Sequence, residues 1–167
     1  MKRVAPELMH LTLAFIGWAA EDAAPRAARA LRSSMSATSS VACRLGDAGA
    51  FPTPTRPRVV WVGLADGGDG VRECALAARE ALRSAEIEYD DKPPLAHLTV
   101  ARVREGVSRS ARDEIAAAVR GARVEPLRFE IAEVVLFESR LARSGPTYIP
   151  LERVPLHARL PSAPHER

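Results

Sequence analysis

The chain has 167 residues, 47% hydrophobic and 27% charged, with a formal net charge of +3. That length suits one domain, or two small lobes sharing a core, and it suffices to bury a sizeable interior. The mild positive charge leans towards anionic ligands, but the basic residues are scattered and form no nucleic-acid-binding arm. No apolar run reaches the roughly 18 residues of a membrane span.

Residues 10–16 (HLTLAFI) are apolar and read as a buried strand closed by Gly17, with Leu11, Leu13 and Phe15 turned inward. A helix follows over residues 22–35. Asp22 is placed to cap it, Pro25 suits its first turn, and Ala27, Leu31 and Met35 recur on one face. Residues 41–45 suggest a short strand. The three prolines of residues 51–57 (FPTPTRP) argue against regular structure, and residues 58–65 (RVVWVGLA) form a strong strand pattern with Trp61 in the core.

The glycine-rich loop of residues 66–70 lacks the full G-x-x-x-x-G-K-S/T pattern and reads as a flexible turn. A second helix over residues 71–85 carries Val71, Cys74, Ala75, Ala78 and Leu82 on one face. Residues 97–103 (HLTVARV) repeat the apolar strand pattern. A third helix starts near Ser110, where Ser110 and Asp113 have capping-box spacing, and ends at Gly121. Residues 127–137 alternate as one long strand. A turn through residues 144–146 leads to a last strand over residues 147–151, and residues 153–167 form a loose tail. This irregular mixing of helices and strands predicts an α+β fold with largely antiparallel sheets.

Two cysteines, Cys43 and Cys74, form no C-x-x-C pair and read as buried free thiols. The N-terminal MKRVAPELMH has no long apolar stretch behind its basic residues. It is therefore no signal peptide, and a cytoplasmic, membrane-free protein is expected.

One feature occurs twice: His10-Leu11-Thr12-Leu13 and His97-Leu98-Thr99-Val100. With six threonines in 167 residues, a given histidine has roughly a 4% chance of threonine two positions later. Residues i and i+2 of a strand share a face. His10 then projects with Thr12, and His97 with Thr99. If the strands lie side by side, two imidazoles and two hydroxyls line one cleft. A neutral imidazole can take a proton from water while a protonated one gives a proton to a leaving oxygen. The hydroxyls can hold a phosphate between them. A lone strand histidine is usually structural, and a pair could bind zinc, but no third His, Cys or carboxylate has a convincing ligand spacing. His157 and His165 lie towards the tail. The doubled unit favours metal-free acid–base catalysis without a cofactor.

These paired H-x-T-x motifs resemble the two-histidine (2H) phosphoesterase superfamily. HLTLAFIG and HLTVARV are similar to the motifs of its RNA 2′,3′-cyclic phosphodiesterase branch, also called the 2′-5′ RNA ligase family. The FP…RPRVVWVGL stretch and ESRLARSGPTYIPL resemble that branch too. The resemblance implies a bilobed α+β fold with a pseudo-twofold axis and a central cleft, spanning residues 1–152. It implies hydrolysis of 2′,3′-cyclic phosphate ends to 2′-phosphates and a reversible 2′-5′ ligation. His10 would be the proton donor and His97 the proton acceptor. Thr12 and Thr99 would bind phosphate, and Arg102 a nucleotide, although simple alternation puts Arg102 on the face opposite His97. Ser139 and Tyr148 read as structural. Trp18 reads as a packing residue, with base stacking as the second option. The expected partners are RNA ends or small cyclic nucleotides, met by a monomer. Family members begin with a strand of the type R-L-F-V-A-L and a helix ahead of the first motif, so one N-terminal strand is expected to be missing here. Two other readings remain: a catalytically weak RNA-end-binding module, and a phosphoesterase for another cyclic nucleotide.

Overall fold

Alternating apolar residues and three amphipathic helices generate two antiparallel sheets, each covered by helices on one side only. The computed structural model describes residues 1–142 and 145–158. Ser144, part of the expected turn, and His165 lie outside the described residues. Chain order is β1 (Lys2–Arg3), a single 3-10 turn (Pro6–Leu8), α1 (Ala23–Met35), β2 (Val41–Thr53), β3 (Arg56–Asp66), α2 (Gly68–Ser84), β4 (His97–Arg102), α3 (Arg109–Gly121), β5 (Arg128–Ile131), β6 (Glu133–Ala142) and β7 (Gly145–Pro155). Five strands form one sheet in the order β1-β4-β3-β2-β5, and β6 and β7 form a second.

The helical faces pack as their periodicity requires. Ala27, Leu31 and Met35 of α1 are buried, and so are Val71, Cys74, Ala75, Ala78 and Leu82 of α2. These two helices close on Val134 of β6 and Val154 of β7 to make the main core, which Val41 and Cys43 of β2 also enter. Cys43 and Cys74 are free and buried there, and desolvation raises both thiols above their ordinary range. The third helix packs separately, with Val119 and Ile115 against Val60 and Ala101 of the five-stranded sheet.

Several boundaries depart from the sequence expectation. Residues 51–57 are not irregular: β2 runs to Thr53 and β3 starts at Arg56, with Pro52 opposite Pro57. At the end of a hairpin neither missing amide costs a necessary ladder bond. The long strand expected over residues 127–137 breaks at Ala132, so β5 joins the first sheet while β6 opens the second. Ala132 accepts instead from the amide of Leu156, 2.8 Å away. The last strand extends to Pro155, and Val154 and Leu156 are buried. Residues 153–157 are therefore built into the lobe rather than forming a loose tail. The third helix is capped by Ser108, whose hydroxyl accepts from the amide of Ala111 at 3.1 Å. Ser110, the expected cap, bonds Glu114 instead. Asp22 makes no side-chain cap and pairs with Arg26 at 3.2 Å.

Residues 10–16 also differ: they are extended but form no ladder, and Leu11 alone bridges to Leu98. No strand of the second sheet pairs with this segment among the described residues, so its backbone lacks the neighbour that would make it a strand. Phe15, expected inside, is 63% exposed, and Trp18, expected to pack, is fully exposed.

The glycine-rich loop has a structural task. Gly67 caps α2 with a φ of 85°, and a Cβ there would lie 2.5 Å from the carbonyl oxygen of Ala42 and 2.7 Å from the sulfur of Cys43. Replacing it by alanine adds a left-handed strain to a clash with backbone, so Gly67→Ala should lower stability by about 1–3 kcal/mol or more. Urea titration checks this: a midpoint equal to that of the parent chain would refute it.

Candidate active site

The second motif is held by regular structure. His97, Leu98 and Thr99 of β4 stand opposite Gly63, Val62 and Trp61 of β3. Directly opposed residues share a face, so His97 and Thr99 lie with Trp61, while the Val60 and Ala101 pair looks at α3. The helix thus covers one face of the sheet and leaves the histidine face open.

The same ladder settles the position of Arg102. Thr99 pairs with Trp61 and Ala101 with Val60, so Val100 is an extra residue, a β-bulge. Val100 and Ala101 both pack towards α3. Arg102 then pairs with Val59, which alternates onto the face of Trp61. Simple alternation from His97 fails by one residue, and Arg102 belongs to the histidine face. Lys2 of β1 stands beside it across the ladder.

The first motif reaches the site through its single bridge. With Leu11 opposite Leu98 in antiparallel sense, His10 stands across from Thr99 and Thr12 across from His97. Leu11 packs inward on the main core, and His10 and Thr12 are exposed on the other side. All four motif side chains therefore gather on one open face. The diagonal pair, His10 and His97, has Cα atoms about 7–8 Å apart by this geometry.

Both imidazoles are oriented in the same way. Nδ1 of His10 lies 2.9 Å from the carbonyl oxygen of Leu8, and Nδ1 of His97 lies 2.7 Å from that of Leu95. A carbonyl oxygen can only accept, so each Nδ1 carries a proton and each Nε2 is left for the cleft. A neutral ring then presents an acceptor, and a protonated ring presents a donor.

Aromatic rings flank each histidine. His97 meets Phe51 edge-on at 5.1 Å between centroids and Trp61 at 6.3 Å. His10 meets Tyr148 edge-on at 5.1 Å and Phe137 at 6.4 Å. Phe51 and Gly49 of β2 are opposite Val59 and Trp61, so they share the site face. On the second sheet, Phe137, Ser139 and Tyr148 share one face. The arrangement is close to twofold: each lobe has a sheet, a helix behind it, and a histidine with two aromatic rings in front. Trp61 is therefore half-buried at the site rather than in the core, and Tyr148 is a neighbour of His10. Sequence reasoning did not single out Phe51 or Phe137. Only strand pairing reveals them, since they lie 46 and 127 positions from the histidines they touch. Among the described residues no three His, Cys, Asp or Glu side chains gather into a metal-ligand set.

Residues 2–143 match the family model described as "2′-5′ RNA ligase superfamily". The chain belongs to the 2′-5′ RNA ligase superfamily. It is 32% identical over 154 residues to an RNA 2′,3′-cyclic phosphodiesterase of Aeropyrum pernix, covering 92% of this chain and 85% of that protein. It is 33% identical over 149 residues to an RNA 2′,3′-cyclic phosphodiesterase of Archaeoglobus fulgidus, covering 89% and 80%. The superfamily fold is also met in the crystal structure of a Thermus thermophilus protein, TT0787, with a TM-score of 0.73, 26% identity, and coverage of 95% of this chain and 84% of that one. Escherichia coli LigT, crystallised with 3′-AMP, shares the fold at a TM-score of 0.68 and 24% identity over 92% of this chain and 80% of its own. The α+β, two-sheet reading of the sequence agrees with this superfamily architecture. No helix among the described residues is long and apolar enough to cross a membrane.

Proposed function

We propose that this chain hydrolyses RNA 2′,3′-cyclic phosphate ends to 2′-phosphates with His10 as general acid and His97 as general base. The observation that carries the reading is the pair of matched imidazoles, each with Nδ1 donating to a backbone carbonyl and Nε2 open to one shared face. The relatives named above are phosphodiesterases of this substrate.

The step balances without a further reagent. Neutral His97 takes a proton from water through Nε2 as the oxygen attacks phosphorus. The bond from phosphorus to O3′ breaks, and protonated His10 gives its proton to O3′. The product carries a 2′-phosphate and a free 3′-hydroxyl. The enzyme is left with a neutral His10 and a protonated His97, and exchange with solvent restores the starting state. Thr12 and Thr99 donate hydroxyl hydrogen bonds to the non-bridging oxygens, and Arg102 neutralises charge that builds on them. Their diagonal placement holds the phosphorus in line between the imidazoles. An RNA 5′-hydroxyl in place of water gives a 2′-5′ linkage by the same transfers, so reversible ligation belongs to the same site. The enzyme works in the cytoplasm, as a monomer, on RNA ends or small cyclic nucleotides.

The test is hydrolysis of a 2′,3′-cyclic nucleotide and of a short cyclic-ended RNA in excess EDTA, with the product isomer identified. Chelator-resistant release of a 2′-phosphate is the expected outcome. Activity that disappears with EDTA and returns with metal would overturn it. Tight binding of 2′-phosphate ends without turnover would make the chain an RNA-end-binding module instead.

A further inference from the structure

Behind the cleft sits a cation that the proposed proton transfers do not use. Arg79, on the inner face of α2, is only 9% exposed. Its Nε donates to the carbonyl oxygen of Leu13 at 3.1 Å, and its Nη2 donates to that of Lys92 at 2.8 Å. Its guanidinium carbon lies 5.4 Å from the ring centroid of Tyr89. Leu13 is the residue after Thr12, and Lys92 lies in the loop that delivers His97. We propose that Arg79 is a positioning residue: one buried guanidinium fixes the backbone of both motif-bearing segments in register. This rests on the two-histidine reading of the site.

Little else ties those segments together through backbone bonds. Residues 10–16 have no ladder, and their link to β4 is the Leu11 bridge. The loop of residues 89–92 returns one bond, from the amide of Asp90 to the carbonyl oxygen of Phe15 at 2.8 Å. Arg79 adds a donor to each side of this junction from one rigid, planar group. Only a guanidinium can do so, because its Nε and Nη donors diverge at fixed angles while an ammonium is a single point on a flexible stem. Without Arg79 the carbonyls of Leu13 and Lys92 would lose these part-buried bonds, and the segments would part where the ladder does not tie them. A shift of about 1 Å between His10 and His97 suffices to slow the chemistry by about a hundredfold. α2 thus acts as a fixed bar against which both halves of the active site are set.

The experiment uses the full chain with Arg79→Met, Arg79→Lys and Arg79→Ala, beside Leu82→Ala as a destabilised control in the same helix. Hydrolysis kinetics are read together with the ring proton signals of His10 and His97 by NMR. The expected result for Arg79→Met is a kcat lower by about ten- to a hundredfold with KM changed less than about threefold, and both histidine signals displaced. Arg79→Lys should fall between this variant and the parent. Added guanidinium ion should recover part of the Arg79→Ala loss, whereas Leu82→Ala should keep the parental kcat per folded molecule. Unmoved histidine signals with near-parental kcat in Arg79→Met would overturn the proposal. So would a loss no larger than that of Leu82→Ala without guanidinium recovery. If the parent chain turns over no cyclic phosphate, the proposed function fails, and the histidine signals still decide the role of Arg79.

Discussion

Replacing His97 by alanine should lower kcat by about 10²–10⁴-fold and leave the fold intact. The ring of His97 is half-exposed, and among the described residues its aromatic contacts are the edge contacts with Phe51 and Trp61, beside its bond to Leu95. Its removal opens no deep cavity, so the loss would be chemical rather than structural. What disappears is the group that accepts a proton from water. The limb of the pH–rate profile that rises with pH should vanish with it. In His10→Ala the opposite limb should vanish, because that variant lacks the donor to the leaving oxygen. The double variant should be little slower than the worse single one, since the two groups act in one step. Steady-state kinetics across pH on the three variants test all of this. A His97→Ala chain within tenfold of the parent would remove the histidine from the mechanism.

Gly49→Ala should have the second largest effect, and through geometry alone. The indole of Trp61 lies over Gly49, and a Cβ there would sit 2.2 Å from Cζ2, with two more ring carbons within 2.6 Å. The ring cannot sink into the sheet. It must swing outward, where Phe51 lies 5.3 Å away and His97 6.3 Å away. Overpacking of this kind costs about 1–3 kcal/mol. The displaced ring should also disturb His97 enough to slow turnover by about tenfold or more. Tryptophan fluorescence can follow the change, because Trp18 is fully exposed while Trp61 is half-buried. Only the Trp61 component should become easier to quench with acrylamide. Unchanged quenching together with parental kcat would show that the indole does not restrain the histidine.

The chemical quartet was legible because it depends on the shortest regularity in protein structure. A spacing of two puts His10 with Thr12 and His97 with Thr99 on any extended chain, laddered or not. Helix faces were legible for the same reason: Ala27, Leu31 and Met35, or Cys74, Ala78 and Leu82, follow from the helical repeat and the need to bury apolar area. What strand pairing decides was not legible. Whether Trp61 looks at α3 or at His97 depends on its register against β4, which local sequence does not carry. The break at Ala132 was hidden because residues on both sides alternate well, and only the divergence of two sheets separates them. The strand expected at residues 10–16 failed for a different cause. Its composition suits a strand, but a strand exists only beside a neighbour.

The bulge at Val100 makes parity along β4 a quantity that changes once. Before it, odd positions face the cleft and even positions face away. After it, the assignment is reversed, and a small residue under α3 can be followed at once by a cation at the cleft. Deleting the extra residue, Val100, would leave a regular ladder with the same pairs, so Ala101 would stay under the helix and Arg102 at the cleft. The strand should therefore tolerate the loss of this one residue, whereas a residue lost from the regular run before it would turn His97 away from the face of Thr99. When related chains are aligned, the arginine should be counted from the end of the strand, not from the histidine.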